Sequence, residues 1–279
     1  MGCGDPAAGN QRGRLHAVLW AREAGNIAVT GFGAVDGACD VPLPERNEFR
    51  PSLVFFQNCQ DVRFERISLL RSNSWTLHLL RCNDVSVRGI TLRANKHRIN
   101  TDGIDPDGSH NVIISDCNIE CGDDCIVLKS TQGDECRNIA ISNCVLSTRC
   151  AALKLGTEGL GDMRDITMSN CVVHDSRVGF AIYMKDGSTY ENILVSNVTL
   201  EGEHDFPVLI DNTPRDYRNP AKGRVRNVVF DNLFVRGAGR CLIEGLPDRP
   251  TENLVIRNLT WDVTGPCRTD EAVKPRGGR

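Results

Sequence analysis

The residues of this sequence best suited to chemistry are three carboxylates in two short phrases. Asn100-Thr101-Asp102-Gly103 carries the first, and Gly122-Asp123-Asp124 carries the other two, with Asp123 standing 21 residues after Asp102. Like charges held close raise the pKa of one member. One acid can then keep a proton for a leaving oxygen while another stays ionised to activate water. Hydrolysis of a glycosidic bond needs that division of labour. Both phrases are also turn-formers, and an acid cluster can hold calcium, so a turn reading and a calcium reading stand beside the catalytic one.

For the three to act together, something must bring them to one patch of surface. A repeat does so. Nine copies of a phrase, Asn or Asp followed by an alternating apolar segment, begin at Asn26, Asp61, Asp84, Asn111, Asn138, Asp165, Asn192, Asn227 and Asn253, with spacings of 35, 23, 27, 27, 27, 27, 35 and 26 residues. A period of this length marks a solenoid whose units bury their apolar faces against their neighbours. Within a copy the apolar residues, such as Val112 and Ile114 or Ile139 and Ile141, alternate at period two and are mostly β-branched, which predicts strands. No copy holds enough helical periodicity for a helical repeat, so the expected fold is an all-β, single-stranded parallel β-helix of about nine rungs.

Stacked rungs explain two further columns. Ile67, Ile90, Cys117, Cys144, Cys171, Val198, Leu233 and Leu259 recur at one place in the phrase, and a position that accepts Ile, Cys, Val and Leu is an interior one. The three cysteines are therefore read as small core residues. One place earlier stand Asp116, Asn143, Asn170, Asn197, Asn232 and Asn258, residues that tolerate left-handed backbone and can hydrogen-bond along a stack, which predicts a turn ladder. The two 35-residue spacings mark insertions, Asp36 to Arg50 and Phe206 to Lys222, that could wall a groove. The expected organisation is a polar N-terminal remnant over 1–15, a β-helix catalytic domain over 16–265, and a disordered tail over 266–279.

Composition narrows the remaining classes. The net charge of −3 over 279 residues, with both signs interspersed, gives no nucleic-acid footprint. No apolar run approaches membrane-span length, and the first residues lack the charged-then-apolar pattern of a secretory signal. Thirteen cysteines cannot all pair within one chain. No histidine pair has metal-ligand spacing, so neither a metal nor another cofactor is expected. His78, in an alternating strand, is read as packed or surface-exposed. His97 and His110 flank the first acidic phrase and could reach a cleft.

From about Gly25 to Asn232 the chain resembles glycoside hydrolase family 28, the polygalacturonases and their relatives. Arg50-Pro51, Ser74-Trp75-Thr76-Leu77-His78, Asn100-Thr101-Asp102-Gly103-Ile104-Asp105 and Gly122-Asp123-Asp124-Cys125-Ile126 leading to Lys129-Ser130 carry the resemblance. It implies a right-handed parallel β-helix, an extracellular or periplasmic location, and inverting hydrolysis of α-linked, galacturonic-acid-containing pectin. By position, Asp123 would be the general acid, and Asp102 with Asp124 would hold and activate the water. The pattern then departs. One period beyond Asp124 stands Ala151 where the family has histidine, and the family's Arg-Ile-Lys segment reads Tyr183-Met184-Lys185.

An arginine grips a carboxylate with two parallel hydrogen bonds that a lysine cannot reproduce, so uronate recognition must be weaker or rebuilt. The expected substrate contacts are Asn100, Lys185, Lys154, Arg149 and Arg177, with Glu158 as a further cleft acid. Lys154, within the Leu153-Lys154-Leu155 alternation, should face away from the core. Two other classes remain: a calcium-dependent lyase or epimerase with Lys154 or Lys185 as base, and a carbohydrate-binding or truncated chain without catalysis. A polysaccharide or oligosaccharide partner and a monomer are expected throughout.

Overall fold

A computed structural model describes residues 16–40, 49–202, 204–218 and 221–264. Among them there is no helix, and the alternating phrases all form strands that pair in parallel with the equivalent strand one rung away. One nine-stranded sheet runs from Ala17–Arg22 through Ile104–Asp107, Ile126–Ser130, Ala151–Gly159 and Val178–Tyr183 to Leu242–Glu244. The rest of each rung lies in a 14-stranded sheet. Its early rungs contribute two short strands apiece, and its later rungs one long strand, such as Met163–His174 or Thr189–Glu201. The chain is a parallel β-helix, as the repeat requires.

Register explains the core. Leu77, Ile104, Ile126, Leu153, Phe180 and Val208 stand opposite one another in successive rungs and are all buried. Each fully buried side chain of this kind stabilises the coil by roughly 1.5–3 kcal/mol. The cysteine column is interior too: Cys117, Cys144 and Cys171 are buried free thiols, with the Cys144 N–H donating to Cys171 Sγ at 3.4 Å. Leu259 departs from its column at 38% exposure, because no rung in the described residues follows it.

The rung corners follow from residue type. All nine phrase-opening residues, from Asn26 to Asn253, have positive φ, and so do Asp116, Asn143, Asn170, Asn197, Asn232 and Asn258. Asn and Asp enter this left-handed region at lower cost than other side chains. Their amides then bridge the rungs, as where Asn138 Nδ2 donates to Asn111 Oδ1 at 2.8 Å and Asn227 Nδ2 to Asn192 Oδ1 at 3.0 Å. The expected N-terminal remnant and C-terminal tail lie outside the described residues, as do 41–48 and 219–220 within the two insertions.

Candidate active site

The two acidic phrases occupy consecutive turns leading into strands Ile104–Asp107 and Ile126–Ser130 of the nine-stranded sheet. Glycine is required in both. A Cβ on Gly103 would run into the Cys125 carbonyl oxygen, and one on Gly122 into the Arg98 carbonyl oxygen, so the two turns can nest only without side chains there. The Gly103 N–H donates to the Asp124 carbonyl at 2.8 Å, which sets the aspartates one rung apart. One rung is about 4.8 Å.

Each carboxylate has a different setting. Asp124 is the most fixed: its Oδ1 accepts the Ala151 N–H at 3.1 Å and its Oδ2 accepts the Lys154 ammonium at 2.7 Å. Asp123 is the least buried of the three, at 8% exposure. Its Oδ2 accepts the Asn100 N–H at 3.0 Å, and its backbone carbonyl accepts the Thr148 hydroxyl. Asp102 is buried, with Lys129 Nζ 3.6 Å from Oδ2 and no hydrogen-bond partner for Oδ1 among the described residues. Burial above all, and then the neighbouring charge of Asp123, push the Asp102 carboxyl up to about 7 against the pull of Lys129.

Two buried lysines organise the acids. Lys129 lies 3.1 Å from Glu158 Oε2 and 4.6 Å from the centre of the Trp75 ring. Burial opposes its charge, but Glu158 and Asp102 outweigh that and hold it above its ordinary value. Lys129 in turn holds the Glu158 carboxyl down to about 2 despite its burial. Lys154, also buried, is kept protonated in the same way, chiefly by Asp124. It points outward from the coil, as its alternation predicts, with the Tyr183 ring 5.4 Å from Nζ.

The expected substrate contacts divide. Lys154 and Arg177 line one pocket together with Asp124, Ala151 and Tyr183, and Arg177 Nε is bonded to Asp205 at 2.6 Å. Asn100 lies beside the acids: its backbone N–H positions Asp123, and its side-chain oxygen accepts Arg50 Nη2 at 2.9 Å. Exposed Arg149 bonds His97 at 2.6 Å, and Lys185 bonds Asp211 at 2.5 Å and Thr213 at 2.7 Å. His78 is packed between Phe55 and Trp75 with Nε2 3.1 Å from Asp107, a structural residue. Lys129 and Trp75 carry part of the family resemblance, but the sequence alone assigns neither a role in the site. The signal was there for Lys129, a polar residue alternating with inward-facing Ile126 and Leu128.

Asp123, Asp124 and Cys150 each offer a ligand atom within 4.8 Å of the others, the one such group among the described residues. The ammonium of Lys154 already sits on Asp124 there, which competes with a cation. The arrangement as a whole is suited to proton transfer: one carboxyl that burial raises to about 7, beside one paired with the Lys154 ammonium and one oriented by the Asn100 N–H.

Residues 15–269 match the family model described as Glycosyl hydrolases family 28. A protein named Probable polygalacturonase from Arabidopsis thaliana is 31% identical over 125 residues, covering 45% of this chain and 27% of that protein. Another of that name from Vitis vinifera is 32% identical over 124 residues, covering 42% and 25% respectively. The chain thus matches about a quarter of the length of these relatives. Among solved structures, an endo-xylogalacturonan hydrolase from Aspergillus tubingensis superposes with a TM-score of 0.70 at 15% identity, over 89% of this chain and 73% of that one. The polygalacturonase from Erwinia carotovora does so with a TM-score of 0.65 at 19% identity, over 90% and 74%. With the fold, both acidic phrases and the family model in agreement over most of its length, the chain belongs to glycosyl hydrolase family 28.

Proposed function

We propose that this chain hydrolyses α-glycosidic bonds in a pectic, galacturonic-acid-containing polysaccharide or oligosaccharide, with inversion at the anomeric carbon. The observation that carries the proposal is the clustering of Asp102, Asp123 and Asp124 in two nested turns, where burial and then the charge of Asp123 raise the Asp102 carboxyl to about 7. Asp123, the most exposed, gives its proton to the leaving oxygen. Asp102 and Asp124 hold a water and take its proton. At rest the single proton of the group sits on Asp102 and passes to the neighbouring Asp123 when the leaving oxygen arrives. Proton abstraction from water then returns it to Asp102, so the cycle closes without an outside acid.

The lyase reading fares worse on the same geometry. Its base would have to be an unprotonated lysine, yet Lys154 is held protonated on Asp124, and Lys185 is bonded to Asp211 and Thr213. Family membership supports work outside the cell on a cell-wall polymer, and among the described residues no helix is long and apolar enough to cross a membrane. The test is proton NMR of the first products. Appearance of the β-anomer from an α-linked substrate, lost in Asp123→Asn, supports the reading, and initial release of the α-anomer contradicts it.

A further inference from the structure

Beyond the acids, the outer face of the nine-stranded sheet changes character. Ala151, Val178 and Phe206 stand opposite one another in successive rungs, as do Lys154, Ala181 and Leu209. Apart from Lys154 these side chains form an apolar cluster separate from the coil's interior, with Tyr183 packed partly exposed at its border. A pocket opens between Asp124 and Tyr183, walled by Ala151, Val178 and Cys150 and lined at its other polar positions by Lys154, Thr157 and Arg177.

The nearby cations are already committed. Lys154 lies 2.7 Å from Asp124, Arg177 2.6 Å from Asp205, and Lys129 3.1 Å from Glu158. Asp102 and Asp123 add further acid to the same face. A uronate entering this pocket would shed its water and either break one of these pairs or sit among like charges, both of which are costly. A sugar without that charge meets no such penalty. The hydrophobic face of its ring can lie on Tyr183, and a methyl group finds the Ala151 and Val178 walls.

We propose that the pocket between Asp124 and Tyr183 binds an uncharged sugar ring carrying a methyl at its C6 end, with Tyr183 as its platform. That chemistry has two sources, a 6-deoxyhexose and a methyl-esterified uronate. The inference rests on the hydrolase reading for its place in a cleavage site, but binding tests it independently of turnover. Oligomers of galacturonate as the free acid, of its methyl ester, and of galacturonate alternating with a 6-deoxyhexose are titrated calorimetrically into the Asp123→Asn chain. At least one of the latter two is expected to bind ten-fold or more tightly than the free acid, and the tighter identifies the source. Added salt should strengthen free-acid binding by screening repulsion and leave the ester unchanged. Tyr183→Arg should shift the preference ten-fold or more toward the free acid, and Tyr183→Phe should preserve the original order. Equal or tighter binding of the free acid, an unchanged preference in Tyr183→Arg, or no binding of any oligomer would overturn the proposal. Absence of turnover by the unmodified chain, with these binding preferences intact, would count against hydrolysis alone.

Discussion

Two stacks of polar residues climb the same coil, and they are built on opposite terms. At the corners, Asn83, Asn111 and Asn138 pass hydrogen bonds from rung to rung at 2.8 and 2.9 Å, each amide donating to the one before it. In the turns leading into the nine-stranded sheet, Asp102, Asp123 and Asp124 also occupy neighbouring rungs. They repel one another and rely on Lys129, Lys154 and a few backbone N–H groups for compensation. The first stack is fully self-consistent and serves the fold. The second holds a buried acid near neutral pKa at the expense of stability, which is what proton-transfer chemistry demands.

Breaking the second stack should have the larger consequences. Asp123→Asn is expected to lower turnover by about three orders of magnitude or more while far-ultraviolet circular dichroism stays unchanged, since the replacement is nearly isosteric. Lys154→Met should leave Asp124 buried without its cation and cost about 3 kcal/mol in denaturant unfolding. Activity should fall with it.

The acid stack should also reveal itself through pH. Asp102 is held well above its ordinary value, so the folded chain binds a proton that the unfolded chain has already released between about pH 4 and 7. Stability from this group therefore falls as pH rises through that window. Asp102→Asn should raise the unfolding free energy at pH 8, on the order of 1–2 kcal/mol, and change little at pH 4. In the intact chain, kcat should decline as pH rises past about 7, where the shared proton is lost. An unchanged midpoint difference between the two pH values would remove the basis for a protonated Asp102.

The asparagine stack should respond most mildly. Asn138→Ala removes the bond to Asn111 and places alanine at a φ of 55°, which should cost about 1–2 kcal/mol without altering turnover. Asn138→Gly, which keeps the backbone easy, should cost about half as much. A loss of activity in either variant would mean the two stacks are coupled.

The coil itself was legible because its period is nearly constant. Asn111, Asn138, Asp165 and Asn192 stand 27 residues apart, and a corner that needs left-handed backbone announces itself as Asn or Asp. The three aspartates were legible as two phrases one rung apart. Their lysine partners were harder to place. Ile126 pairs with Leu153 at the usual 27-residue offset, but a register shift follows and Ser130 pairs with Gly159, 29 residues on. A fixed period would set Lys129 opposite Gly156, whereas the shift belongs to the segment that delivers Glu158 to it. Arg149 entered the expected binding set by its nearness to the acid-bearing rungs, and Lys185 as the lysine retained from the family's Arg-Ile-Lys segment. Their partners in the fold, His97 and Asp211, come from 52 residues before and 26 residues after them.

The central question is whether the aspartate cluster cuts a glycosidic bond by adding water. The most direct measurement incubates the purified chain with polygalacturonate, its methyl ester and rhamnogalacturonan, following reducing ends and absorbance near 235 nm together, with Asp123→Asn alongside. New reducing ends without absorbance, absent from the variant, are the predicted result. Absorbance rising in step with reducing ends would mean elimination instead of hydrolysis, and cleavage persisting in Asp123→Asn would contradict the role given to that acid.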